Sequence, residues 1–151
     1  MQFENLKEAI DFAIEKEIKA AAFYEKASEE ESMSGSKELF KEFAAEERKH
    51  EQKLKNLNTE KIVDFQKKKV TDLKRSDYIV EFAYEPGMDF RDIVTYAMKE
   101  EEKALKLYNE LEKRADTEAG VKLFQFLSQE EAQHKLQLET MLDDYMAKMG
   151  D

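Results

Sequence analysis

One internal repeat constrains the fold of this chain more than any other feature. Three residues of types that bind metals recur after the same offset of 84 positions, without a gap, and the pairs are Glu17/Glu101, Glu47/Glu131 and His50/His134. The two histidines are the only ones in the sequence. Further matches at this offset are Ala13/Ala97, Ala20/Ala104, Tyr24/Tyr108, Phe40/Phe124, Glu46/Glu130 and Leu54/Leu138. Two copies of one helical hairpin are the simplest explanation.

Composition favours helices and excludes several kinds of chemistry. The 151 residues include one proline and four glycines, and Glu, Lys, Ala and Leu dominate, so we expect an all-α fold in a single domain, 1–151. The sequence has no cysteine, which excludes disulfides, cysteine-ligated zinc, iron–sulfur clusters and thiol nucleophiles. Any redox chemistry therefore needs another centre.

Charge and hydropathy limit the partners. A net charge of −10 argues against binding to a phosphate backbone, so no nucleic acid partner is expected. The first residues have no basic segment followed by an apolar run, and no stretch approaches the ~18 apolar residues of a membrane span. We therefore expect a soluble, cytoplasmic protein that does not bind membranes.

Four helices are predicted, at about residues 5–33, 36–57, 89–115 and 118–148. Asn5 with Glu8, and Asp89 with Asp92, have the spacing of an N-cap with an acidic residue in the first turn. Breaks at 33–36 and 116–120 leave room only for tight turns. Each half of the chain is then an antiparallel helical hairpin.

A long crossover, residues 58–88, is predicted between the hairpins. A direct antiparallel link needs only a few residues, so this length indicates a connection that runs along the bundle and makes helices 2 and 3 parallel. Residues 78–84 are apolar enough to lie against the outside of the bundle, and 67–69 are three lysines typical of a solvated stretch.

The repeated residues are predicted to meet in one layer of the core. Counted from the two turns, they all lie about 20–25 Å along the hairpins at the rise of an α-helix. Helix 3 has three consecutive glutamates, and only Glu101 shares its face with the apolar residues Ile93, Val94, Ala97, Ala104, Leu105, Tyr108 and Leu111. The same test places the glutamates of the other three helices on core faces.

A dinuclear metal site follows from this placement. Four buried carboxylates cannot stay ionised without compensation, because even one isolated buried charge costs several kcal/mol. Two divalent cations would balance the four negative charges, and each neutral imidazole adds a nitrogen donor. The i, i+3 spacing in Glu-x-x-His lets both side chains reach the same ion or pair of ions. The predicted ligands are Glu17, Glu47, His50, Glu101, Glu131 and His134.

The motifs resemble those of the ferritin-like superfamily, and most closely its rubrerythrin-like branch. In such bundles two helices give one glutamate each and two give Glu-x-x-His. The matching segments are Glu17-x-x-Ala20-x-x-Phe23-Tyr24, Glu46-Glu47-Arg48-Lys49-His50, Glu101-x-x-Ala104-x-x-x-Tyr108 and Glu130-Glu131-Ala132-Gln133-His134. The resemblance implies a ferritin-like four-helix bundle with two iron ions that reacts with hydrogen peroxide or dioxygen. It also implies a homodimer, in which the hairpins either close within one chain or exchange between two.

This sequence departs from the rubrerythrin pattern in two places. It lacks the cysteines of the rubredoxin-type iron domain, so electrons are expected from a separate donor. Position 104 is alanine where that family usually has a further glutamate ligand, which predicts a symmetric site of four glutamates and two histidines. Within it, Glu47 and Glu131 are the expected bridging ligands, and Glu17 and Glu101 the terminal ones.

Several interpretations remain open from sequence. Tyr24 and Tyr108 lie two turns beyond Glu17 and Glu101, the central glutamates of helices 1 and 3. They are either hydrogen-bond donors or redox partners of the site, or ordinary core tyrosines. Glu46 and Glu130 either support the histidines or form surface ion pairs. The alternatives to an oxidoreductase are an iron-storage protein with a ferroxidase step and a bundle that holds zinc or manganese without turnover, since these ligands accept several metals.

Overall fold

The computed structural model describes residues 3–30, 34–57, 73–80 and 88–149. These residues form four α-helices and no β-strand, which confirms the predicted all-α class. The α-helices are α1 (Leu6–Glu30), α2 (Ser34–Asn56), α3 (Phe90–Arg114) and α4 (Glu118–Lys148), and a short 3-10 helix covers Arg75–Tyr78. None of the described helices has a stretch long and apolar enough to cross a membrane.

The helix starts depend on side chains that satisfy free backbone amides. Asn5 Oδ1 accepts a hydrogen bond from the amide of Glu8 at 2.9 Å, and Asp89 accepts one from the amide of Arg91 at 3.1 Å. At α4 the cap is Thr117, whose hydroxyl accepts from the amide of Gly120 at 3.0 Å. Helix α4 therefore begins at Glu118, and Gly120, which belongs to the predicted break 116–120, lies inside its first turn.

The glycine in that turn has a steric reason. A Cβ atom at Gly120 would lie 3.0 Å from the hydroxyl oxygen of Thr117 and 3.3 Å from the Cβ of Ala115. Space beside the cap, rather than the end of a helix, therefore accounts for glycine at this position.

The helices form two antiparallel hairpins, α1 with α2 and α3 with α4. Tyr24 contacts Glu101 while Glu17 contacts Tyr108, so α1 runs antiparallel to α3. Because α1 is also antiparallel to α2, helices α2 and α3 run in the same direction. This parallel pair is the arrangement that the long crossover predicts.

The described part of the connection, residues 73–80, lies against α1 and α3. The amide of Phe3 donates to the carbonyl of Leu73 at 3.2 Å, and Lys16 donates to the carbonyl of Tyr78 at 2.6 Å. The Tyr78 ring is buried, with the ammonium of Lys106 on α3 5.7 Å from its centroid. The predicted lysine stretch 67–69 and residues 81–84 of the predicted apolar segment fall outside the described residues.

Two apolar clusters fill the bundle on either side of the repeated residues. One contains Ile10, Leu54, Leu107, Tyr108 and Phe124, and the other contains Tyr24, Phe40, Phe43, Val94 and Leu138. On α3 the predicted core face needs one change, because Leu107 is buried and Leu105 is only half-buried. The polar layer between the clusters is thus screened from solvent by hydrocarbon above and below.

Candidate metal centre

Six polar side chains meet in the layer between the two apolar clusters. Each is only 1–2 % exposed, and they are Glu17 on α1, Glu47 and His50 on α2, Glu101 on α3, and Glu131 and His134 on α4. The burial that the apolar stripes predicted for the four glutamates is confirmed. Every helix contributes at least one member, as the equal distances from the two turns require.

The six side chains form two overlapping groups that could each hold a metal ion. The first comprises Glu17, Glu47, His50 and Glu131, and the second comprises Glu47, Glu101, Glu131 and His134. Within each group the potential ligand atoms all lie within 4.8 Å of one another. Glu47 and Glu131 belong to both groups, so their carboxylates lie between the two positions.

Both histidines direct the Nδ1 atom into the layer. His50 Nδ1 lies 3.1 Å from Glu131 and 3.5 Å from both Glu17 and Glu47. His134 Nδ1 lies 3.2 Å from Glu47 and 3.6 Å from Glu101. The two rings are nearly parallel, with 23° between their planes and 6.1 Å between centroids. Each potential metal position therefore has one imidazole nitrogen beside it.

The outer Nε2 atoms contact glutamates of the opposite hairpin. His50 Nε2 lies 3.4 Å from Glu130, and His134 Nε2 contacts Glu46. An outer carboxylate favours the tautomer with the proton on Nε2, which leaves Nδ1 free to bind a metal. Of the two roles open to Glu46 and Glu130 from sequence, the structure therefore favours contact with the imidazoles.

Each repeated tyrosine donates to a glutamate of the other hairpin. The Tyr24 hydroxyl donates to Glu101 at 2.6 Å, and the Tyr108 hydroxyl donates to Glu17 at 2.5 Å. Burial, followed by the charges of nearby carboxylates, raises the pKa of both tyrosines well above the ordinary value. Both hydroxyls therefore keep their protons and act as hydrogen-bond donors.

The carboxylates of this layer repel one another when no cation is bound. Burial, and then the charges of the surrounding glutamates, raises the pKa of Glu47 and Glu131. Burial acts in the same direction on Glu101, but hydrogen bonding with Glu131 and His134 outweighs it and lowers that pKa. Ionisation of the two shared carboxylates is thus disfavoured by their surroundings, and they are the ones that two cations could neutralise together.

The histidines respond in the opposite sense. Burial alone would lower the pKa of His134, but the neighbouring carboxylates of Glu101 and Glu131 outweigh it and raise the pKa to about 9. The pKa of His50 is raised as well, against the effect of burial, by its contacts with Glu131 and Glu17. Protons on these rings partly compensate the carboxylates, and a metal ion would have to displace them.

The donor atoms fit a pair of divalent first-row metals. Among the described side chains, four buried atoms of this layer have no hydrogen-bond partner, namely Glu17 Oε2, Glu47 Oε1, Glu101 Oε2 and His134 Nδ1. Unpaired buried acceptors are costly, so their concentration at one place requires an explanation. Oxygen and imidazole ligands in this number are suited to iron, manganese or zinc.

Comparison with known families agrees with this geometry. A family model described as Rubrerythrin matches residues 2–58 and 92–149, which together make up most of the chain. The chain belongs to the rubrerythrin family. The two matched segments contain all six residues of the layer and omit most of the connection. No curated protein and no solved structure matches the chain in the corresponding comparisons.

Membership of the rubrerythrin family makes the differences at this site informative. The 151 residues contain no cysteine, so this sequence holds no Cys₄ iron centre. Ala104, at the position of the expected additional glutamate, is buried beside Glu101 and lines a small cavity with Ala20. Among the residues that the structure describes, the ligand-type side chains of the layer are four glutamates and two histidines.

Three neighbours of the layer were missed from sequence. The Phe126 ring lies edge-on to His50, with 6.0 Å between centroids, and it has no aromatic counterpart at the repeated position. Lys16 and Glu100 approach each other at 3.5 Å beside the central glutamates. These two residues occupy equivalent positions of the repeat but have opposite charges, and that mismatch was the signal available in the sequence.

Proposed function

We propose that this rubrerythrin-family chain binds two iron ions and is an oxidoreductase whose oxidant is hydrogen peroxide or dioxygen. The observation that carries the proposal is the sharing of Glu47 and Glu131 by two four-residue groups of buried ligand atoms. One ion would be held by Glu17 and His50, the other by Glu101 and His134, and both by the two shared carboxylates.

Charge balance supports two divalent ions rather than one. Four glutamates bring four negative charges into a layer that is 1–2 % exposed, and two divalent ions neutralise them. The histidines then bind as neutral rings through Nδ1, and Nε2 donates to the outer carboxylates of Glu46 and Glu130. Family membership favours iron over the manganese and zinc that the same ligands accept.

Bound as a pair, two ferrous ions would supply the two electrons that reduce hydrogen peroxide, with two protons, to two molecules of water. The chain's own side chains hold the carboxylates in place and exclude bulk water. Tyr24 and Tyr108 orient Glu101 and Glu17 by hydrogen bonds, and because their pKa values are raised they do not lose the proton to the solvent. The flanking apolar clusters separate the layer from bulk water, which strengthens each of these interactions.

The electrons must be restored from outside this sequence. The sequence has no cysteine and therefore no cysteine-ligated iron centre that could pass electrons to the site. The proposal therefore includes an external electron donor. We also propose a homodimer, because the chain belongs to the rubrerythrin family, and its hairpins either close within one chain or exchange between two.

A metal titration with matched variants tests the proposal. We expect the wild type to bind two ferrous ions per chain, and Glu101→Gln to lose tight binding of one or both. Glu102→Gln is the matched control, because Glu102 is exposed on the same helix. Less than one ion per chain, or equal binding by the two variants, would contradict a dinuclear site at this position.

Oxidation of the loaded protein tests the reaction. The ferrous protein is prepared without oxygen and mixed with hydrogen peroxide or dioxygen, and the ferric absorption is followed with time. Faster oxidation by peroxide supports peroxide detoxification, and faster oxidation by dioxygen supports the second oxidant. Growth of mineral particles with excess iron would instead indicate storage, and no oxidation by either reagent would refute the redox assignment.

A further inference from the structure

Glu17 on α1 and Glu101 on α3 line a small cavity between these two helices. The cavity has a volume of about 10 Å³, and its lining includes Glu17, Glu101, Ala20, Ala104 and the Lys16–Glu100 pair. A space of this size holds about one water-sized molecule. Three buried oxygen atoms without a hydrogen-bond partner, Glu17 Oε2, Glu47 Oε1 and Glu101 Oε2, belong to residues of this lining.

Two alanines create the space. Ala20 and Ala104 follow the central glutamates by three positions on their helices, so each lies over the same face as the glutamate. Ala104 is 8 % exposed and Ala20 is half-buried, whereas Glu17 and Glu101 are each 2 % exposed. Exposure thus decreases from the alanines to the glutamates, that is, from the outer side of the bundle towards the metal-binding layer.

A fixed ion pair lies at the outer end of this cavity. The Lys16 ammonium lies 3.5 Å from Glu100, and the two side chains are 12 % and 19 % exposed. The ammonium also donates to the carbonyl of Tyr78 at 2.6 Å, which fixes it between α1, α3 and the connection. A partly buried lysine with two oxygen partners has little freedom, so the width of the opening is set by the fold.

The opposite side of the layer is closed by rings. The His50 and His134 rings lie there between α2 and α4, and the Phe43 ring is 4.3 Å from His134. Phe126 packs edge-on against His50, and the outer carboxylates contact the Nε2 atoms. Passage on this side would require the displacement of histidines that the metal itself would hold.

We propose that the cavity between α1 and α3 is the access route of the oxidant, and that Ala20, Ala104 and the Lys16–Glu100 pair restrict it to molecules as small as hydrogen peroxide and dioxygen. The inference rests on the proposed function. It limits the substrates to small oxidants, because organic hydroperoxides are too large for the space. Ala104 would then keep the route open, because a longer side chain at this position would fill the cavity.

Narrowing and widening variants test the route. In Ala104→Val and Ala20→Val, added methyl groups should slow the binding of nitric oxide to the ferrous protein about tenfold, equivalent to ~1.4 kcal/mol in the barrier. In Lys16→Ala, oxidation by tert-butyl hydroperoxide should accelerate about tenfold while oxidation by hydrogen peroxide changes less than about threefold. Ala132→Val and Lys7→Ala are the controls, because both residues are exposed and lie outside the cavity lining.

Nitric oxide binding is read from absorption and requires no turnover, and iron content is measured for every sample. A wild type without two ions per chain would overturn the proposed function and the route together. A loaded wild type that reacts equally fast with both peroxides, or unchanged nitric oxide rates in both valine variants, would overturn the route alone. If neither valine variant retains iron, the peroxide selectivity of Lys16→Ala decides, and an unchanged selectivity refutes the route.

Discussion

Loss of one tyrosine hydroxyl should weaken one of the two metal positions and spare the other. Tyr24 donates to Glu101 at 2.6 Å, and Tyr108 donates to Glu17 at 2.5 Å. Tyr24→Phe and Tyr108→Phe retain the ring in the core and remove only the donor. Each tyrosine lies on the hairpin opposite to the glutamate that it contacts. Tyr24→Phe should therefore weaken the metal position of Glu101, and Tyr108→Phe the metal position of Glu17.

The magnitude follows from the burial of the hydrogen bond. Both tyrosines are 1 % exposed and both glutamates 2 % exposed, so water cannot replace the lost donor without rearrangement. A hydrogen bond to a charged group contributes about 1.5–3 kcal/mol. Loss of an outer partner of a metal ligand typically lowers affinity ~10–100-fold, or about 1.4–2.7 kcal/mol. The two figures agree, so we expect a decrease of about 30-fold at one position.

A cobalt titration followed by visible absorption resolves the two positions. Each single variant should bind one ion with wild-type affinity and one more weakly, and the losses in the two variants should be similar because the contacts are equivalent. In the double variant both ions should bind weakly. Tyr145→Phe is the matched control, since its hydroxyl donates to the carboxylate of Asp89 at 3.4 Å, outside the six-residue layer.

The pattern of loss decides whether the reasoning holds. If either single variant weakened both ions equally, the tyrosines would act on the bundle as a whole rather than on one glutamate each. If affinity in both single variants matched that of the control, the hydrogen bonds would not influence the metal ligands.

Three further predictions concern stability. Metal at a concentration of about 1,000 times its dissociation constant should stabilise the fold by ~4 kcal/mol. Removal of the metal by a chelator should therefore lower the midpoint of thermal unfolding, measured by calorimetry, by about 10 °C. An unchanged midpoint would contradict metal binding to the folded core. The pKa of His134 is raised to about 9 in the fold, so protonated His134 stabilises the metal-free protein fully below about pH 6.5, and this stabilisation is lost as pH rises through 9. Urea unfolding of the metal-free form should therefore give a lower free energy of unfolding at pH 9.5 than at pH 6. Equal free energies at the two pH values would refute the prediction. Thr117→Ala should cost about 1 kcal/mol in denaturant unfolding because it removes the acceptor for the Gly120 amide, whereas Thr117→Ser should cost much less; equal costs would show that the hydroxyl is not the stabilising group.

The repeat was sufficient to predict the fold class and the composition of the polar layer. Helical periodicity separates Glu101 from Glu100 and Glu102, because only one of three consecutive residues can share a face with the apolar stripe. Spacing from the turns then predicts that all six side chains lie at one height. These inferences depend on local geometry that each hairpin repeats, and for that reason one sequence was enough.

Contacts between the hairpins were harder to predict. The reach of Tyr24 to Glu101 and of His134 to Glu46 depends on how the two hairpins rotate against each other, which no local pattern specifies. Gly120 was included in the predicted break 116–120, whereas it lies in the first turn of α4 beside the Thr117 cap, where a side chain would crowd the hydroxyl. Tertiary packing decides the contacts between the hairpins, and the local geometry of the Thr117 cap decides the glycine.

The contacts between hairpins also bear on the predicted dimer. Each potential metal position takes three ligands from one hairpin and one from the other, because Glu47 and Glu131 belong to both groups. The tyrosine and outer glutamate contacts likewise join the first hairpin to the second. All of these contacts would be retained if two chains exchanged hairpins, so metal affinity cannot distinguish a closed chain from an exchanged dimer.

A mixture of two defective chains can distinguish them. In closed chains, His50→Ala and His134→Ala each remove one imidazole from every site, and mixing the variants restores nothing. In an exchanged heterodimer, one site combines both defective hairpins, while the other combines the two intact hairpins and has all six ligands. Co-expression should therefore yield wild-type cobalt spectra in one site of each mixed dimer if the hairpins exchange. Isolation of such heterodimers with two separate tags, followed by titration, would refute exchange if neither site had wild-type affinity.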